Sequence, residues 1–244
     1  MVALQLSTIM VKTCSTKILA LDTATERGSM ALLEGNEVVA EFRLRSAVTH
    51  SARLLSSMEF LLRSAGWKLR DLNLIAAGIG PGSFTGIRIG LSTALGIAQT
   101  LDISFAGVSG LDALARQVSF RNAHLGVAMD AKRSQIYYAE YKIDRNKMRM
   151  VLRPRLWCPV DLASSMARRP LYIIGDAAPS YLEALQATGN KKVPDYVETD
   201  LYIAGSIGRL GLLRKRYWRR GRELKCDPLY IRPPDARKPK GRRS

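Results

Sequence analysis

Leu19-Ala20-Leu21-Asp22, an apolar run closed by an acid and followed after a short turn by Ser29 to Leu33, is echoed by Val127-Ala128-Met129-Asp130 followed by Gln135 to Tyr141. Each copy has the pattern of a buried strand that ends on a carboxylate, turns tightly and returns. An internal echo of this kind points to a duplicated unit, and so to two lobes of similar plan.

Outward from the first copy, Lys17 to Asp22, Gly28 to Leu33 and Glu37 to Leu44 form three strands of an antiparallel meander, the last two joined by a Gly35-Asn36 turn. In the third strand Val38, Ala40, Phe42 and Leu44 alternate with Glu37, Val39, Glu41 and Arg43, so one face is mainly apolar. A helix from about Ser51 to Ala65 follows, with Gly66 as its stop. Leu74 to Ile79, Ser83 to Thr100, Ile103 to Val108 and Leu111 to Val118 then alternate strand and helix, as a parallel pair with a helical crossover requires. After the second copy, helices are expected at Val160 to Ala167, Pro179 to Ala187 and Tyr202 to Tyr217, with a strand at Leu171 to Ile174. The pattern predicts an α/β chain with mixed sheets flanked by helices. It divides into an extension over 1–16, a first lobe over 17–119, a second lobe over 120–231 and a basic tail over 232–244, with Met1 and Met10 both open as the start of translation.

The 244 residues, 47% of them apolar, are enough to bury about 70% of the surface that the unfolded chain exposes. Cys14, Cys158 and Cys226 stand far apart without a C-x-x-C pair, which predicts a reducing compartment, buried unreactive thiols and no zinc site. No run reaches the roughly 18 apolar residues of a membrane helix, and Met1 to Met10 lacks a signal-peptide pattern, so the expectation is a soluble cytoplasmic protein. The net charge of +17 is uneven: residues 209–244 hold 14 Lys/Arg against 3 Asp/Glu, a net +11, which leaves +6 for the rest. Such a terminus, with Tyr217 and Trp218 inside it, either holds a phosphate backbone by counterion release and stacking or is simply solvated.

An Asp that ends a strand at a tight turn is where two-lobed nucleotide-binding folds place a carboxylate near metal and phosphate. Asp22 and Thr23 are therefore the candidate cofactor contacts, the alternative being that Asp22 only caps its own turn. The matching turn of the second copy, Ala131-Lys132-Arg133-Ser134, has no glycine to let the backbone curl round a phosphate. Gly80-Pro81-Gly82-Ser83-Phe84-Thr85-Gly86 leads into a helix that Ser83 can cap. It either leaves amides open to an anion or serves only as the helix start. It lacks the Gly-Lys-Ser/Thr ending of a P-loop and the third glycine of a dinucleotide fingerprint. His50 and His124 have no further ligands at metal spacing, and no nucleophile elbow or Cys/His/Asp grouping is present, so no catalytic residue is assigned.

Two helices carry apolar stripes. Gly86, Gly90, Ala94 and Ala98 recur every fourth residue beside Ile87, Leu91 and Leu95, and Leu54, Leu55, Met58, Leu61 and Leu62 line the preceding helix. Together they either cover the chain's own sheet or form an exposed surface for a partner, which a second copy of the chain would also fit.

Several of these stretches occur together as motifs: Ile18-Leu-Ala-Leu-Asp-Thr-Ala-Thr25, His50-Ser51, Gly80-Pro-Gly-Ser-Phe-Thr-Gly-Ile-Arg-Ile-Gly90, Val108-Ser-Gly-Leu-Asp112, Asp130-Ala-Lys-Arg133 and Gly175-Asp176. In them the chain resembles the bacterial TsaB family, once called glycoprotease-like, from about Lys17 to Arg232 and most closely over the first hundred residues. The resemblance implies an actin-like, ASKHA (ribonuclease H-like) fold. It also implies a non-catalytic part in making threonylcarbamoyladenosine in tRNAs that read ANN codons. In that system TsaD transfers the threonylcarbamoyl group, TsaB supports TsaD, and the ATPase TsaE joins the assembly. The resemblance further makes the two striped helices the TsaD-binding face, with no cofactor of the chain's own and with ATP or ADP, if any, at the partner junction. TsaD paralogues hold a metal with an H-x-x-x-H pair in the segment matching Val108 to Leu114, where this chain has Gly110 and Leu114. Two readings compete with the scaffold: a free-standing nucleotide-dependent phosphotransferase of the same superfold, and an RNA-binding module led by the basic tail. In the scaffold reading too, the tail is the expected tRNA contact.

Overall fold

The computed structural model describes residues 15–45, 51–119, 122–144, 147–165, 170–189, 193–221 and 224–232. The first lobe opens with β1 (Lys17–Asp22), β2 (Arg27–Glu34) and β3 (Glu37–Arg45), an antiparallel meander. It continues with α1 (Ser51–Ser64), β4 (Leu74–Gly78), α2 (Phe84–Thr100) and β5 (Ser104–Val108). The chain continues with α3 (Gly110–Ala115), β6 (Ala123–Asp130), β7 (Ile136–Asp144), β8 (Lys147–Trp157), α4 (Pro159–Ser165), β9 (Tyr172–Ile174), α5 (Ala178–Ala187), β10 (Asp195–Tyr196) and α6 (Ala204–Leu213), with β6 to β10 making the second sheet.

The strand orders are β3-β2-β1-β4-β5 and β10-β9-β6-β7-β8. In both sheets the first strand of a meander also pairs in parallel with a strand reached through a helix: β1 with β4, β6 with β9. The duplication read from the two apolar-to-Asp runs is thus a duplication of topology, and the chain has a two-lobed plan of mixed sheets flanked by helices. β1 is central in its sheet and covered on both sides, which is why its residues form an unbroken apolar run instead of alternating.

One face of the first sheet, with Leu19, Leu21, Met30, Leu32 and Ile75, packs under α1 and α2. Its other face, with Ile18, Ala20, Leu33, Leu74 and Ala76, packs against Ile207 and Leu210 of α6 and runs on into the inner face of the second sheet. The outer face of the second sheet is covered by Leu162 of α4 and by Tyr181 and Leu185 of α5. Each fully buried Leu in these layers contributes roughly 1.5–3 kcal/mol.

Several expectations are corrected. α6 ends at Leu213, and although it lies in the sequence range assigned to the second lobe it packs on β1, β2 and β4 of the first. Three points of the following segment also lie against the first sheet and α2. Arg219 makes a two-way backbone bridge with Phe105 at the edge of β5 (2.8 and 2.9 Å), Leu224 enters the core beneath α2, and the Leu229 N–H donates to the Ile79 carbonyl at 2.7 Å. β8 and β10 were not read from the sequence. Pro154 sits inside β8, and the strand shifts register twice against β7, so its alternation is broken. An edge strand tolerates such a proline, and its exposed Lys147, Arg149, Arg153 and Arg155 discourage edge pairing. Cys158, expected to be buried, is exposed just before α4, and Cys226 is half-buried with its thiol pKa pushed up by burial. Cys14, His50 and the tail 233–244 lie outside the described residues. No helix among the described residues is long and apolar enough to cross a membrane.

Candidate functional site

β1 delivers Asp22 to the junction of the lobes, where it is 1% exposed. Its Oδ1 accepts from the Ala24 N–H at 3.5 Å, while its Oδ2 has no hydrogen-bond partner among the described residues. A Cβ on Gly78 of the neighbouring strand would stand 2.2 Å from Oδ1 and 3.3 Å from Ile207 of α6. Glycine is required there because the carboxyl lies directly on the β4 backbone. Burial raises the Asp22 pKa from 3.8 to about 6, against the lowering effect of the Ala24 and Thr23 amides. Thr23 is buried too, and its hydroxyl donates to the Gly86 carbonyl at 2.7 Å. A cavity that both residues line measures about 20 Å³, room for about one water. The two candidate cofactor contacts therefore hold the turn and the helix start, and neither lines the open cleft between the lobes.

The glycine-rich run explains itself in the same geometry. The Ser83 N–H donates to the Ala24 carbonyl at 2.7 Å, and its hydroxyl accepts from the Gly86 N–H at 3.2 Å as the N-cap of α2. A Cβ at Gly82 would stand 2.2 Å from the Ala24 carbonyl oxygen, one at Gly86 would stand 2.1 Å from that of Thr23, and one at Gly90 would stand 2.2 Å from Thr23 Oγ1. Gly86 and Gly90 thus let α2 sit on the β1–β2 turn, and Ala94 and Ala98 continue the stripe as buried members of the core under α2.

This corrects the partner-facing assignment. Leu54, Met58, Leu61 and Leu62 of α1, and Ile87, Gly90, Leu91, Ala94 and Ala98 of α2, are all buried within the chain. Of the residues assigned to that face, Leu55 is 60% exposed and Leu95 half-buried. Phe60, absent from the sequence assignment, is 63% exposed on α1. Periodicity identifies the apolar side of a helix, and that side is the one the chain's own sheet takes first.

Between the turns of the two lobes lies a cleft of about 410 Å³. Its second-lobe wall is the turn after Asp130. Lys132, Arg133 and Ser134 all adopt left-handed backbone (φ 58°, 54° and 54°), so the chain curls there although the turn has no glycine. Asp130 Oδ1 accepts from the Lys132 N–H at 2.7 Å, and the Lys132 ammonium pairs with Asp130 at 3.1 Å and with Glu26 of the first lobe at 3.2 Å. Arg27 and Asp176 form a second pair across the cleft at 3.5 Å. The C-terminal strap closes one end. Tyr230 stacks on Phe84 with ring centroids 4.8 Å apart, its hydroxyl accepts from Arg88 Nε at 3.0 Å, and Arg232 donates to Gln135 and to the Lys132 carbonyl. Lys132 and Arg27 are thus already committed to carboxylates across the space where a phosphate would need them. Nothing local signalled the strap, because Arg88 and Tyr230 are 142 residues apart.

His124 Nε2 lies 2.6 Å from Glu140, whose other oxygen accepts from the Tyr138 hydroxyl at 2.9 Å. Gly110 and Leu114 are buried in α3. Among the described residues no group of three His, Cys, Asp or Glu side chains is placed to hold a metal ion.

Comparison with known proteins gives this geometry a family. A family model described as TsaD: tRNA N6-adenosine threonylcarbamoyltransferase matches residues 43–167. The tRNA threonylcarbamoyladenosine biosynthesis protein TsaB of Escherichia coli is 41% identical over 132 residues. The chain belongs to this family, on its TsaB branch. That match spans 53% of the chain and 57% of the E. coli protein, so a little over half of that relative's length is matched. The TsaB of Haemophilus influenzae is 26% identical over 88% of the chain and 93% of its own length. A crystal structure of an uncharacterized Pseudomonas aeruginosa protein with similarity to peptidase YEAZ superimposes with a TM-score of 0.71 at 28% identity, over 89% of this chain and all of that one. The TsaB likeness therefore extends over both lobes.

Proposed function

We propose that the chain is a non-catalytic cytoplasmic subunit in the synthesis of threonylcarbamoyladenosine in ANN-decoding tRNAs, and that it binds and supports the TsaD transferase in an assembly that TsaE joins. The observation that carries this reading is a contrast in exposure. Asp22 and Thr23, where a nucleotide-dependent enzyme of this fold would bind its ligand, are sealed by Gly78 and α2, while α1 leaves Leu55 and Phe60 open to solvent. The chain has surface for a partner in place of an open reactive site. Its likeness to the TsaB proteins supports the pathway. The docking face consists of the outward residues of the helix pair, Leu55 and Phe60 on α1 and the half-buried Ile89 and Leu95 on α2, laid over a core that α1 and α2 have already built. ATP or ADP, where the assembly uses it, sits at the partner junction. The basic terminus supplies a tRNA contact through its excess of 11 positive charges.

Co-expression with TsaD, with the chain present or omitted, followed by measurement of threonylcarbamoyladenosine in bulk tRNA, tests the proposal. Modification is expected to fall to background when the chain is omitted. The Leu55→Glu/Phe60→Glu double variant is expected to keep its thermal midpoint and lose co-purification with TsaD. Undiminished modification without the chain would remove the reading. Truncation after Arg232 should weaken tRNA binding and flatten its salt dependence, and an unchanged binding curve would remove the tail from it.

A further inference from the structure

On the α6 side of the first sheet a groove of about 660 Å³ opens between β3 and the start of α6, away from the cleft and from α1 and α2. Its charges are organised. Arg43 pairs with Glu41 at 2.8 Å and with Asp200 at 2.7 Å, and its guanidinium carbon lies 5.3 Å from the centre of the Tyr202 ring. Arg43 thus bridges both carboxylates but offsets only one of their two charges, and with Arg116 and Arg209 the charged side chains lining the groove sum to +1. Two further guanidiniums remain. Arg209 is held by its Nε donating to the Asn36 carbonyl at 3.0 Å, which commits that one nitrogen. Arg116, at the C-cap of α3, makes no ion pair or side-chain hydrogen bond among the described residues. In the floor, Ser206 is 7% exposed, and its hydroxyl likewise has no hydrogen-bond partner among the described residues. Beside it Gly205 keeps the floor low, since a Cβ there would stand 3.3 Å from Val38.

A hydroxyl without a partner on the largely buried Ser206 and two guanidiniums with no carboxylate partner, lining one groove of net positive charge, ask for an anionic acceptor. Planar guanidinium forks match the oxygens of a phosphate, and Arg116 and Arg209 both keep terminal nitrogens free to donate to one. The volume lies within the roughly 300–1,000 Å³ of small-molecule sites and exceeds what inorganic phosphate alone would fill. We propose that this groove binds a phosphate monoester on a small polar body, with Arg116 and Arg209 on the phosphate and Ser206 donating to it. The ester can be a free metabolite or the 5′-phosphate of an RNA end. Neither the TsaD reading nor the cleft is needed for the inference.

Calorimetric titration of the full chain with inorganic phosphate, ribose 5-phosphate, and a short RNA oligonucleotide with and without a 5′-phosphate tests it. Saturable binding of ribose 5-phosphate is expected, tighter than that of inorganic phosphate. Arg116→Gln and Arg209→Gln should each weaken it by about tenfold or more, and Arg153→Gln on β8 should leave it unchanged. Preference for the 5′-phosphorylated RNA, lost in Arg116→Gln, would identify an RNA end as a ligand. Indifference to that phosphate beside tight ribose 5-phosphate binding would identify a free ester. Should Arg209→Gln fail to fold through loss of the Asn36 contact, Arg116→Gln still decides, because it removes no contact of the fold. Absence of saturation at millimolar probe, unchanged affinity in Arg116→Gln, or an equal loss in Arg153→Gln would each overturn the proposal.

Discussion

The Thr23 hydroxyl donates to the Gly86 carbonyl at 2.7 Å, tying the turn after the first strand to the first turn of α2. The contact is possible because Gly86 and Gly90 carry no side chain where Thr23 lies. Replacing Gly86 with Ala drives a Cβ to 2.1 Å from a backbone oxygen that cannot swing away, and should cost about 1–3 kcal/mol in urea unfolding. Gly96, exposed on the same helix with nothing within 4 Å of its would-be Cβ, provides the contrast. Gly96→Ala should raise stability by about 0.5–1 kcal/mol, because alanine loses less backbone entropy in a helix. A neutral Gly86→Ala would show that the turn and α2 are not in contact.

Asp22 makes stability depend on pH with a definite sign. Its folded pKa, about 6, lies above its ordinary value of 3.8, so the native state binds the proton more tightly than the unfolded state does. The full benefit is present below pH 3.8 and is lost as pH rises through 6. A shift of that size corresponds to roughly 3 kcal/mol. The stability of the wild type relative to Asp22→Asn should therefore fall by about that amount between pH 4 and pH 7, read from denaturant curves at each pH. A flat difference would mean that the carboxyl is solvated.

Asp112 joins three elements. One oxygen accepts from the Tyr141 hydroxyl of β7 at 2.8 Å and the other from Arg214, at the end of α6, at 2.7 Å. The acid is buried and the Arg214 side chain is a third exposed, so the pair is only partly screened. Asp112→Ala leaves a buried phenol and a guanidinium without their acceptor, and should cost about 2–3 kcal/mol. The exposed pair Arg220–Asp102, 3.0 Å long, is the control, and Asp102→Ala should change stability by less than about 0.5 kcal/mol.

Leu91 and Phe60 separate folding from docking. Leu91 is 4% exposed in the core under α2, so Leu91→Glu buries a charge and should abolish the cooperative thermal transition. Phe60→Glu should leave that transition within about 0.5 kcal/mol of wild type while weakening TsaD capture. A folded Leu91→Glu variant would place that side of α2 at the surface.

Much of the architecture was legible because it is local. An apolar strand ending in Asp at both Asp22 and Asp130, a Gly35-Asn36 hairpin turn and helical stripes each record their own backbone period, and the repeated strand order follows from them. β8 escaped because Pro154 and two register shifts disturb that period, and β10 because it has only two residues. The left-handed run Lys132 to Ser134 escaped because its conformation is held by partners distant in sequence, among them Glu26 and Arg232.

By itself the sequence determined that this chain folds as two like lobes, and that α1 and α2 each have one apolar side, because hydrophobic periodicity is written residue by residue. What that side meets was decided only by the tertiary structure. The same stripe of Gly86, Gly90, Ala94 and Ala98 fits a partner or the chain's own β1 turn equally well on paper, and close packing gave it to Thr23. Likewise the strap from Arg219 to Arg232 has no period to read, and its course along β5 and over Phe84 is set by long-range contacts alone.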